Sequence, residues 1–80
     1  MDWKNIELDT DRIDEAVLAL LVLGLHDRFR VWKGFDWDAM ERLHEKGYIS
    51  NPRGRAKSVD LTAEGEAEAE RLFKKLFVKN

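Results

Sequence analysis

Residues 42–65, RLHEKGYISNPRGRAKSVDLTAEG, decide the fold. Lys46-Gly47 closes an amphipathic helix, with glycine just past the last periodic residue. Residues 48–50 (YIS) and 57–61 (KSVDL) then read as two short strands. The basic turn between them, residues 51–56, carries Pro52 and Gly54, which fix a bend. Thr62 caps a last helix in which Ala69, Leu72, Phe73, Leu76 and Phe77 recur at helical spacing. Glutamates crowd its start and Lys74, Lys75 and Lys79 its end, the order the helix dipole favours.

Upstream, Asp36 caps a second helix with Asp38 in its first turn and an apolar stripe of Ala39, Met40 and Leu43, with Trp37 nearby. Its outer face is Asp38, Glu41, Arg42 and Glu45. Residues 28–35, RFRVWKGF, are a loop or short extended segment. A first helix opens on Thr10 or Asp11 and ends near His26-Asp27. From Ile13 to Leu25 apolar residues cover nearly its whole circumference, the mark of a central helix or one shared with a partner. Residues 1–9 are an N-terminal arm or short strand, since Ile6 and Leu8 alternate with polar neighbours. The expected fold is α+β: one domain over residues 1–80, with three helices and a two-stranded β-hairpin.

The order helix, hairpin, helix in residues 43–65 resembles the end of the winged-helix domain of MarR- and PadR-type transcription regulators. There a recognition helix leads through a glycine turn into the wing, so the resemblance implies a winged-helix-like fold and DNA-binding kin. Only residues 28–35 separate the first and second helices, too few for a separate supporting helix and its turns. The loop or the first helix would take that role. The segments DRIDEAVLALL, WKGFDWDAMERLHEKGYIS and AKSVDLTAEG also resemble a family of short bacterial proteins, a domain of unknown function, which implies a domain unit and a bacterial origin.

Eighty residues suit one small domain that buries about 60–65% of its unfolded surface. Without cysteine there is no disulfide or thiolate metal site, which suits a reducing cytoplasm. The longest apolar run, residues 16–25, is far short of a membrane span, so no membrane partner is expected. The net charge of −2 conceals a pattern. Arg28, Arg30 and Lys33 form one basic block and Arg53, Arg55 and Lys57 another, while the first fifteen residues carry −4.

Two function classes follow. In one, the basic blocks and Arg42 grip phosphates, Phe29 and Trp32 being able to meet single-stranded bases. Six cations on phosphates would give a salt slope of about −5. Against this, Asp38, Glu41 and Glu45 would face the phosphates, each repelled by on the order of 1 kcal/mol even in water. A solvated, charge-mixed face with Asp38 paired to Arg42 is the plainer account. In the other class the chain binds protein, itself or another, through Leu18, Val22, Leu25, Trp32, Leu76 and Phe77, with a homodimer through the first and last helices preferred. The aromatics Trp3, Phe29, Trp32, Phe35 and Trp37 are expected mainly in the core, with an interface as the second use.

No catalysis and no cofactor are expected. His26 and His44 lack a ligand spacing, Ser50 and Ser58 lack a nucleophile motif, and Asp36 and Asp38 are explained by capping.

Overall fold

Each helix begins where a short oxygen-bearing side chain accepts from an amide three residues on. In the computed structural model, which describes residues 5–79, these caps are Asp9 to Arg12 N (3.1 Å), Asp36 to Ala39 N (3.1 Å) and Thr62 to Gly65 N (2.9 Å). The helices they open are α1 (Thr10–Leu21), α2 (Trp37–Glu45) and α3 (Ala63–Phe77). The cap of α1 therefore falls just before the expected Thr10 or Asp11. Residues 5–9 form no strand, and Ile6 and Leu8 are exposed there; the first four residues of the arm, Trp3 included, lie outside the described residues.

α1 ends earlier than His26. A 3-10 turn, Val22–Gly24, tightens its last residues, and a bulkier residue at Gly24 would crowd the Trp32 ring at 2.9 Å. The chain then reverses through residues 27–29, with His26 and Arg30 exchanging both backbone hydrogen bonds (2.8 and 3.0 Å). Asp27 and Arg28 hold positive φ of 46° and 73° at this tip, a conformation uncommon for any residue but glycine.

The extended reading of residues 28–35 holds at β1 (Arg30–Trp32), which pairs antiparallel with β2 (Ser58–Asp60) in the register Arg30↔Asp60, Val31↔Val59, Trp32↔Ser58. The two-stranded sheet is therefore built from β1 and β2, not from residues 48–50 with 57–61. That expected ribbon is reduced to one bridge, Ile49↔Leu61, flanked by bonds from Ser50 N to Asp60 O (2.9 Å) and from Thr62 N to Tyr48 O (3.0 Å). The Ser50 hydroxyl accepts from Asp60 N (2.9 Å), and Pro52 two residues on has no N–H to extend a ladder.

α1 packs against both α2 and α3. The core they share with the sheet contains Leu18, Leu21, Val31, Met40, Leu43, Ile49, Val59 and Leu72. The body measures 40 × 39 × 18 Å, and 18 Å is less than two helix diameters, so the core is thin. Alternation along β1 points Val31 inward and Arg30 and Trp32 outward. Phe29, Trp32, Phe35 and Trp37 are all exposed, which corrects the expectation of a core role: Trp32 stands on the open face of the two-stranded sheet, Phe29 and Phe35 lie in the segments flanking β1, and Trp37 opens α2. Among the described residues no helix is long and apolar enough to cross a membrane.

Candidate functional site

Three places in the fold bring chemistry-bearing residues together. The first is the junction of α1 and α2. Asp14 shares the apolar face of α1 with Val17 and Leu18, and at 1% exposure it is the one buried charged residue among those described. Arg42 Nε donates to both its oxygens (2.9 and 2.8 Å) and Lys46 Nζ to one (3.0 Å). Burial by itself would raise the Asp14 pKa; the bonds and charges of Arg42 and Lys46 outweigh it and hold the carboxyl below its usual range. The bond to Asp14 raises Arg42, and at Lys46 the bonds to Asp14 and Asp11 overcome a desolvation that acts the other way. Arg42 is thus drawn to another helix rather than paired with Asp38 on its own. Its guanidinium ties α1 to α2 through Nε, with the side chain 28% exposed.

The second place is the basic rim. Lys33 Nζ donates to the carbonyls of Pro52 (2.7 Å) and Gly54 (3.0 Å), so it clamps the 51–57 loop to the end of β1. Arg53 Nε donates to Glu41 on α2 (2.8 Å), which raises the Arg53 pKa, and Arg30 lies 3.5 Å from Asp60 across the sheet. Four of the seven basic candidates, Arg30, Lys33, Arg42 and Arg53, are therefore engaged inside the molecule. Arg28, Arg55 and Lys57 are exposed and make no ion pair among the described residues. They do not converge: Arg28 sits at the 27–29 tip, and Arg55 and Lys57 lie at the far end of β1, about 10 Å of strand away.

The third place is a groove of about 350 Å³ between the end of α1 and the outer side of α3. Val22, Leu25, Leu61, Ala69, Phe73 and Val78 form its walls, with Glu66, Glu70 and Lys74 beside them. The α3 members repeat at i, i+3, i+4, i+7 and i+8, one continuous stripe. Around the groove Leu23 is 72% exposed, Leu25 47%, Phe77 45% and Val78 49%. These four leave on the order of 300–400 Å² of apolar side chain in water, within the range of the largest patches on monomers, which are often functional.

Of the six apolar candidates, Leu25 and Val22 line this groove, Phe77 is exposed and edge-on to Phe73 (5.7 Å), Leu76 lies in another depression with Arg12, Glu15 and Ala16 of α1, and Trp32 lies elsewhere, stacked on His26 at 4.1 Å. Leu18 is 1% exposed and belongs to the core, because its side of α1 is the one that α2 and α3 cover. Sequence reasoning missed Asp14 and Gly65. Asp14 lies three residues before Val17 and four before Leu18, a spacing that puts it on their face. Gly65 permits close contact: a Cβ there would overlap the Tyr48 carbonyl, which also accepts from Thr62 N (3.0 Å).

Comparison with known proteins shows the family. A bacterial relative from Sinorhizobium fredii (strain NBRC 101917 / NGR234), described as the uncharacterized protein y4hR, is 51% identical over 74 residues, an alignment that covers 92% of this chain and all of that one. No solved structure matches. A family model described as a domain of unknown function, DUF6429, matches residues 9–79, nearly the whole chain; the chain belongs to that family.

Proposed function

We propose that this protein is a non-catalytic, cytoplasmic interaction module of winged-helix-like build that binds protein through the groove beside α3. The observation that carries the reading is the contrast in commitment. Half of the six rim cations are engaged within the molecule, while Leu25 and Val78 on the groove walls are 47% and 49% exposed and Leu23 and Phe77 nearby 72% and 45%. The order α1, β1, α2, bridge, β2, α3 supports the winged-helix-like arrangement, with β2 between β1 and Ile49. The non-catalytic part rests on how the reactive side chains are employed. His26 Nδ1 lies 2.8 Å from Gly24 O, His44 Nδ1 lies 3.0 Å from Ile49 O, and Ser50 Oγ accepts from Asp60 N.

The test is photo-cross-linking in living cells with p-benzoylphenylalanine in place of Leu25 and, as control, in place of Asp38. Protein adducts from position 25 and not from 38 are expected. No adduct from either position overturns the reading.

A second reading, phosphate gripping on nucleic acid, is favoured by the uncommitted Arg28, Arg55 and Lys57. Three cations set a salt slope of about −2.7, half the value for six. Fluorescence anisotropy with random duplex and single-stranded DNA measures it. Binding at low salt with that slope, lost on Arg55→Ala plus Lys57→Ala, would replace the protein-binding reading.

A further inference from the structure

We propose that the occupant of the groove is a second copy of this chain, docked with the two α3 helices antiparallel; this rests on the groove being a protein-binding surface. The carrying observation is the charge order of α3. Glu64, Glu66, Glu68 and Glu70 occupy its first half, Arg71, Lys74 and Lys75 its second, and Lys79 follows just past its end, with Phe73 lining the groove and Phe77 edge-on against it. A patch that binds its own copy about a two-fold axis must complement itself, which a helix of this polarity does only when its partner runs the opposite way. An axis crossing α3 at Leu72 sets Glu70 of one copy against Lys74 of the other, and the reverse pair follows by symmetry. It also carries Glu66 toward the end that bears Lys79. The Glu70–Lys74 pair within one helix (2.9 Å, both exposed) would become a cluster of four alternating charges around the two Phe73 side chains.

Size sets the strength. The exposed apolar wall is well below the roughly 800 Å² per partner of a stable interface, so the dimer is weak and salt-sensitive.

Sedimentation velocity on the full chain from about 5 to 500 µM, at low and high salt, with a charge swap, tests this. Glu70→Lys alone puts lysine against lysine and Lys74→Glu alone puts glutamate against glutamate, so each homodimer weakens about tenfold. Mixed in equal amounts, the two variants regain attraction at both contacts and associate as well as the wild type. Both positions are exposed, and circular dichroism confirms that each variant folds. A wild type that remains monomeric throughout overturns the inference, as does a dimer that ignores the swap. The cross-link at position 25 separates this failure from failure of the underlying reading. An adduct at twice the 9.4 kDa chain mass supports self-pairing; adducts only at other masses overturn it and leave the groove a protein-binding surface; no adduct overturns both.

Discussion

The two ends of α1 are finished in opposite ways. At its N-terminal end the helix buries an acid, and Arg42 and Lys46 from α2 close over it, so a costly charge is fully bonded. Tyr48 and Leu72 complete the wall there with Leu18 and Leu43. At its C-terminal end the same helix runs into Val22, Leu23 and Leu25, which no other element covers completely, although α3 lies alongside. An end whose buried acid is bonded on both oxygens has closed over its costliest group. An end that leaves apolar side chains in water has surface to offer a partner, and that difference locates the interaction surface better than any count of charges.

The largest expected effect breaks the closed end. Gly65→Ala drives a Cβ into the Tyr48 carbonyl, a backbone atom that cannot swing aside as a side chain would. The turn after α2 must then shift away from α3 and give up the Thr62 bonds to Tyr48 O and Gly47 O. The cost should be about 3 kcal/mol, the upper end for overpacking, read as a fall in the urea midpoint.

Asp14→Asn comes next. Removing one partner of a buried ion pair costs 3–5 kcal/mol, but the side chains of Arg42 and Lys46 keep 28% and 35% exposure and can turn to water, so about 2–3 kcal/mol is expected. The pH dependence gives a second check. Because the folded carboxyl titrates below its unfolded value of about 3.9, its contribution is complete above that pH and disappears as pH falls through the lower folded value. The wild type should therefore lose stability between about pH 5 and 2 more steeply than the variant. Equal acid limbs in urea titrations would mean that the Asp14 junction does not hold the closed end.

Much of this was legible in the chain, and the reasons it stopped are specific. The caps Asp36 and Thr62 and the stop at Gly47 are local chemistry, settled within four residues, and they could be read directly. The pairing of β1 with β2 joins residues 30 apart at Arg30↔Asp60, and no local signal says which of two neighbouring segments will take the ladder. The candidate site divided along the same line. Leu25, Phe77 and Val22 stood out because α1 and α3 carry more apolar residue than one face needs. The rim was misjudged because a lysine that clamps carbonyls 19 and 21 residues away looks, in sequence, like any loop cation.

The smallest expected effect is the one that sharpens the comparison most. Leu23 is the most exposed of the large apolar residues described, on a 3-10 turn with no buried member. Leu23→Ser should change stability by less than about 0.5 kcal/mol, as surface substitutions do, which for a domain this small is a melting shift of about 3 °C or less. If the open end exists for a partner, the same change should still weaken association measured by sedimentation, because the surface it removes is buried only in the complex. A loss of stability comparable to that of Asp14→Asn would show that Leu23 is packed within a single chain, and the distinction between a closed and an open end of α1 would fail at its most exposed residue.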